Sequence, residues 1–325
     1  MIRINITILL LLVFGFSNVK GQQRLAIDAN FADPTVILYQ GVYYAYATQA
    51  SVNGVMHNIQ LATSTDLKTW KMVGDVLPVK PLWAKNTQDF WAPHVLYDDE
   101  AHKFVLFFSA KSDDKKFDKC IGVAFSDTPE GPFLSSESPI VSGPGFENID
   151  PFAIHDKKTH KNYLFWGSGF QPIKVREMSR DWKTFAKKSV EKALVYPGRE
   201  KKYSNLIEGA WVDFCDGFYY LYYSGDNCCG VNANYAVMVA RSKHLIGSYS
   251  TMAKVKNIPS SVVLAKNENW LAPGHNSIFK DKIGQRWIAY HAIHPKQLTS
   301  PDQKRVMLIS RLVYKNGWPV VEIAK

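Results

Sequence analysis

The feature that most constrains this chain is a repeat of strand-rich segments about every 60 residues. The run Asp33-Pro-Thr-Val-Ile-Leu-Tyr-Gln-Gly-Val-Tyr-Tyr-Ala-Tyr sets the pattern: an acid, a short apolar strand, a turn and an aromatic second strand. Asp150-Pro-Phe-Ala-Ile-His-Asp, continuing to Asn162-Tyr-Leu-Phe-Trp, echoes it, and so does Glu208-Gly-Ala-Trp-Val-Asp-Phe-Cys-Asp-Gly-Phe-Tyr-Tyr-Leu-Tyr-Tyr. Two further units open at Trp91 and near His275, so that starts at 33, 91, 150, 208 and 275 lie 58, 59, 58 and 67 residues apart. A period of this size with about four strands per unit predicts an all-β, five-bladed propeller. Ser64-Thr-Asp-Leu-Lys-Thr-Trp and Ser179-Arg-Asp-Trp-Lys-Thr-Phe match closely at equivalent places and support true repetition. A pair of β-sandwiches would show a composition break near the middle, and none occurs.

In a propeller the innermost strand of each blade lines a central channel. Asp33, Asp150 and Glu208, read as occupying one place in three repeats, are therefore expected around one pocket there. A lone Asp-Pro is most often only a turn initiator. Repetition at one position makes these three candidates for acid/base chemistry on a polar substrate. No phosphate-binding glycine loop, serine elbow or HExxH run is present, which disfavours kinase, esterase and zincin chemistry.

Residues 1–21 read as a secretory signal, with Arg3 before an apolar run too short to span a membrane comfortably, leaving 22–325 as one catalytic domain. Their removal takes Arg3 and Lys20 and no acid, lowering the formal charge from +10 to +8. The remaining basic residues are scattered, and a nucleic-acid partner would need a continuous track. Export permits disulfides. Adjacent cysteines pair poorly, so a link from Cys228 or Cys229 to Cys215 or Cys120 is the expected one. The pair His291/His294 is weak evidence for zinc, because residues three apart in a strand face opposite sides, and a structural or sugar-facing role is favoured.

The ordered motifs Ala32-Asp33-Pro34-Thr-Val-Ile, Trp91-Ala-Pro-His94-Val, Ile149-Asp150-Pro151-Phe, Ile207-Glu208-Gly209-Ala-Trp and Pro273-Gly-His275-Asn-Ser resemble those of glycoside hydrolase family 43. Arg305-Val-Met-Leu-Ile through Gly317-Trp318-Pro319 is similar to that family's last blade. The resemblance implies an inverting hydrolase of arabinose- or xylose-containing plant cell-wall polysaccharide. It implies Asp33 as general base, Glu208 as general acid and Asp150 as the acid that tunes Glu208 by like-charge repulsion. No cofactor is required for that chemistry. His275 matches a channel histidine that either neighbours an ion, often calcium, or simply hydrogen-bonds carboxylate or sugar. Arg305 matches an arginine of the sugar pocket, and Phe31 and Trp91 are candidate sugar contacts. His94, where many members carry aspartate, is expected to alter the substrate rim. Phe31-Ala lacks the histidine that often precedes the base in endo-acting arabinanases. The sequence therefore leans toward an exo-acting α-L-arabinofuranosidase, with β-xylosidase, endo-arabinanase and a non-catalytic sugar-binding propeller as alternatives.

Overall fold

The computed structural model describes residues 23–198 and 202–323, so the signal reading of 1–21 lies outside the described residues. Five antiparallel sheets form the expected propeller. Their inner strands are Thr35–Tyr39, Trp91–Asp98, Phe152–Asp156, Ile207–Cys215 and Leu271–Lys280.

Alternation along the second strand of each blade closes the ring. Successive side chains of a strand point to opposite faces. In Lys103–Lys111, Phe104, Leu106 and Phe108 pack with Tyr44 and Tyr46 of blade 1. Val105 and Phe107 pack with Leu164 and Trp166 of blade 3. Tyr163 and Phe165 meet Tyr219, Leu221 and Tyr223 of blade 4. Tyr220 and Tyr222 meet Ile288 and Tyr290 of blade 5. Trp287 and Ala289 return to Tyr43, Ala45 and Ala47 of blade 1. Second strands are thus apolar on both faces, because each is sandwiched between two neighbouring sheets. A fully buried aromatic removes about 150–250 Å2 from water, a gross gain of roughly 4–6 kcal/mol before ordering costs.

Blade 5 joins the two ends of the chain: Arg24–Ile27 and Trp318–Glu322 both pair with Val306–Lys315. The two matching Ser/Asp fragments build the same turn. In one, Ser64 Oγ accepts the Leu67 N–H and Asp66 Oδ1 accepts those of Lys68 and Thr69. In the other, Asp181 Oδ1 accepts the Lys183 N–H. Leu67 and Trp182 sit at equivalent left-handed positions, φ 61° and 62°.

Candidate active site

The chain enters every inner strand through one residue of left-handed backbone: Asp33, Ala92, Asp150, Gly209 and Ala272, with φ of 55°, 48°, 62°, 62° and 47°. This corrects the alignment of the repeats. The equivalent positions are 33, 92, 150, 209 and 272, spaced 59, 58, 59 and 63 residues, more evenly than the motif starts suggested. Glu208 therefore stands one residue earlier in its repeat than Asp33 and Asp150, at the position that Trp91 takes in blade 2. Matching carboxylate to carboxylate hid this; the backbone matches Gly209 to the two aspartates. Non-glycine residues held there cost on the order of 1–3 kcal/mol each. At Gly209 a Cβ would also press on the His275 ring, 3.3 Å from its Cγ and Nδ1.

The amides at these entries are held by the preceding blade. Asp33 N–H donates to His291 Nδ1 (3.2 Å), Ala92 N–H to Thr48 Oγ1 (2.9 Å) and Asp150 N–H to Ser109 Oγ (3.0 Å). Gly209 N–H donates to Asp150 Oδ2 (3.1 Å). In blade 5 the donor is His275, itself left-handed at φ 47°, whose N–H reaches Ser224 Oγ at 2.8 Å. Such bonds satisfy the amides of four of the entries and of His275 beside the channel.

The three acids have different surroundings. Asp33 is buried; Thr48 Oγ1 donates to Oδ2 at 2.5 Å, and Arg305 Nη1 to Oδ1 at 3.3 Å. His291 Nδ1 and His275 Nδ1 stand 3.1 Å and 3.4 Å from the same Oδ1. Burial alone would raise this carboxyl, but Arg305, His275 and His291 outweigh it and hold Asp33 well below the usual carboxylate range. Burial brings His291 itself down to about 4, so it is a neutral partner at physiological pH. Asp150 is also buried, yet its carboxyl is raised well above the usual range, by burial first and then by Glu208 and Asp33. Half-buried Glu208 accepts from Tyr235 Oη on Oε1 (2.7 Å) and from Ser168 Oγ on Oε2 (2.5 Å). The raised carboxyl is that of Asp150, which lies deeper than Glu208. The two are best treated as one coupled system.

His275 bridges Asp33 and Asp150, with Nδ1 also 3.6 Å from Asp150 Oδ2. Among the described residues no three His, Cys, Asp or Glu side chains converge as metal ligands. Calcium takes six to eight oxygens, and the side chains around His275 do not form such a cage.

Arg305 lies against Asp33, and its carbonyl accepts the Phe31 N–H at 2.9 Å. Phe31 is corrected from sugar contact to core: it has no exposed surface and packs in the cluster between blades 5 and 1. Trp91 is half-buried, with Lys119 Nζ 3.7 Å from its ring centroid. His94 is corrected too. It is buried, bonds Ala153 O at 2.8 Å and touches Phe152 and Trp211, away from any rim. It lines a cavity of about 1060 Å3 formed by the later halves of the inner strands, at the mouth opposite the acids. The expected cross-links from Cys228 or Cys229 to Cys120 or Cys215 are absent: all four are free thiols, and the sulfurs recorded in contact are those of Cys228 and Cys229.

Sequence reasoning missed Thr48, Ser109, Ser168, Ser224 and Tyr235 as parts of this network. Four of them carry a signal, since each hydroxyl directly follows, or follows by one residue, the last aromatic of a second strand: Tyr46-Ala-Thr48, Phe108-Ser109, Trp166-Gly-Ser168 and Tyr223-Ser224.

Known proteins resemble this chain over most of its length. The extracellular endo-alpha-(1->5)-L-arabinanase 1 of Bacillus subtilis is 24% identical over 88% of this chain and 86% of that protein. Arabinan endo-1,5-alpha-L-arabinosidase A of Aspergillus aculeatus is 24% identical over 90% of this chain and 91% of that protein. Among solved structures, an exo-1,5-alpha-L-arabinanase from a bovine ruminal metagenomic library superposes with a TM-score of 0.74 at 25% identity, covering 92% of this chain and 100% of that one. An endo-1,4-beta-xylanase from Bacteroides thetaiotaomicron gives 0.73 at 26%, covering 91% and 96%. The family model for glycosyl hydrolases family 43 matches residues 26–319, nearly the whole described propeller with its three acids, and the chain belongs to that family of inverting glycoside hydrolases.

Proposed function

We propose that this protein hydrolyses the α-1,5-L-arabinofuranosyl linkages of arabinan, with Asp33 as general base, Glu208 as general acid and Asp150 as the residue that keeps a proton within reach of Glu208. The observation carrying this is the opposite preparation of two buried carboxyls: Asp33 is held ionised, while Asp150, which accepts the Gly209 N–H, is pushed toward its protonated form. An inverting hydrolase needs one ionised and one protonated carboxyl at the same pH. Water placed between Asp33 and the anomeric carbon gives its proton to Asp33 as its oxygen attacks. The departing sugar oxygen takes the proton from Glu208, and solvent then carries the proton gained by Asp33 back to Glu208. Tyr235 and Ser168 fix the Glu208 carboxyl, and Arg305 with the two histidines fixes Asp33. Trp91 is a candidate sugar contact. An ion at His275 would have to be held largely by water, and no step is assigned to it.

The relatives named endo-acting arabinanases move the preferred reading from exo-arabinofuranosidase to endo-arabinanase. Exo action is the second reading, favoured by the full-length match to an exo-1,5-alpha-L-arabinanase. Among the described residues no helix is long and apolar enough to cross a membrane. Together with the leader-like residues 1–21 and an extracellular relative, this supports a secreted enzyme whose residues 22–325 act as one catalytic unit.

Incubation with linear arabinan, branched arabinan, arabinoxylan and xylo-oligosaccharides tests the substrate. A ladder of arabino-oligosaccharides from linear arabinan is expected. Arabinose alone from branched polymer would restore the exo-arabinofuranosidase reading, xylose would replace the substrate, and no product from any of the four would favour a binding protein.

The pH profile has a definite expected form. Since Asp33 is depressed, its protonation should reduce kcat/KM only at pH well below the ordinary carboxyl range. Loss of the proton from the raised Asp150 carboxyl should set the alkaline limb. Asp150→Asn should move that limb to lower pH; an unmoved limb would remove Asp150 from the tuning role.

A further inference from the structure

The loop between the blade 4 strands Phe218–Gly225 and Ala236–Ser242 carries two neighbouring thiols at the rim of the acid pocket. The Cys228 and Cys229 sulfurs lie 2.7 Å apart, inside the sum of two sulfur radii; Cys228 is half-buried and Cys229 exposed. The loop is fixed on both sides of the pair. Asn234 N–H donates to Asn227 O at 2.9 Å, and Gly230 N–H donates to Gln303 Oε1 at 2.8 Å, two residues before Arg305. Cys228 packs against the cluster of Tyr235, Ala272 and Ile293, and Tyr235 is the residue that holds Glu208. The thiols therefore sit between the supports of both proposed catalytic carboxyls.

The chemistry of the pair is asymmetric. The hydrogen bond from Cys228 brings the Cys229 thiol down to about 7 against the opposing effect of burial, and the Arg305 charge adds to the lowering. The same bond and burial push Cys228 up. The exposed sulfur is thus the nucleophile and the sheltered one the resolving thiol.

We propose that Cys228 and Cys229 form a modification site that reacts with small disulfides, closing to an eight-membered disulfide ring at the rim of the sugar pocket. The Cys229 thiolate attacks one sulfur of the donor disulfide, forming a mixed disulfide and releasing the first donor thiolate. Cys228 then attacks the Cys229 sulfur, forming the Cys228–Cys229 bond and releasing the second. The two protons pass to the released thiolates, and the two electrons lost by the cysteines reduce the donor. Neighbouring Cα atoms are about 3.8 Å apart, less than ordinary disulfides span, so the ring belongs to the readily reduced kind. The site does not depend on which polysaccharide is cleaved.

Equilibration of the full chain with oxidised or reduced glutathione, acid quenching, alkylation and chymotryptic cleavage after Tyr223 and Tyr235 tests this by mass. The segment 224–235 contains these two cysteines and neither of the other two. In oxidised glutathione it should carry no alkyl group and be lighter by two hydrogens; in reduced glutathione it should carry two alkyl groups. In Cys229→Ser the loss of label at Cys228 should disappear. Two alkyl groups after oxidation, a persistent glutathione adduct, or linkage of this segment to the peptide of Cys215 or Cys120 would overturn the proposal. The readout is mass, so it stands even if no arabinan activity is found.

Discussion

Glu208→Gln should lower kcat on linear arabinan by about 10²–10⁴-fold, the usual contribution of a positioned general acid. Glutamine fits the same space. Its carbonyl can accept from Tyr235 or Ser168, and the other hydroxyl can turn to accept from its amide. What it cannot do is give a proton to a departing sugar oxygen, which leaves poorly as an alkoxide. An arabino-oligosaccharide with a dinitrophenolate leaving group needs no such proton, and on it the loss should largely vanish. Equal losses on both substrates would mean that Glu208 serves something other than proton donation. Undiminished turnover on arabinan would take it out of the reaction.

Asp33→Gly should be as damaging on both substrates, because it removes the base and not the acid. Glycine is the informative replacement. It adopts φ 55° without strain, so the entry to the blade 1 strand survives while the carboxylate leaves a hole. Arg305, His275 and His291 then surround that hole without their common partner. Leaving the half-buried Arg305 guanidinium without its partner should destabilise the fold, so a lowered melting temperature is expected beside the lost activity. The same excess positive charge should draw in a small anion. Azide needs no deprotonation, and its addition should restore consumption of the activated substrate and yield an arabinosyl azide of inverted configuration. Absence of rescue in a folded variant would argue that Asp33 does more than accept a proton from water.

Much of the ring was readable before any coordinates, for a physical reason. A propeller's second strands are sandwiched between sheets, so Phe104 to Phe108 and Phe218 to Tyr223 appear as unbroken apolar and aromatic runs. Turn residues punctuate them at regular intervals. The three acids were legible because each opens a short apolar strand in a recurring unit. Their relative register was not. Glu208 was aligned by charge, while the equivalence is set by backbone conformation at Gly209, and blade 5 was anchored on His275 although its entry is Ala272. Phe31 reads as a sugar contact from its flat aromatic ring, and His94 as a rim residue because it stands where family 43 members often carry aspartate. Both side chains are instead buried, Phe31 between blades and His94 against Phe152 and Trp211. The hydroxyls at the ends of the second strands were overlooked despite their recurring spacing after an aromatic. Tyr235 gave no signal at all, since it follows an irregular loop and reaches Glu208 only through the fold.

The account depends on water being activated by Asp33 on one side of the sugar while Glu208 protonates the leaving oxygen on the other. Proton NMR of the wild-type protein cleaving unbranched α-1,5-arabino-oligosaccharides, recorded before mutarotation, tests that arrangement most directly. New reducing ends should appear first as the β anomer, by single displacement. First appearance of the α anomer would require a covalent intermediate and would contradict these roles for Asp33 and Glu208.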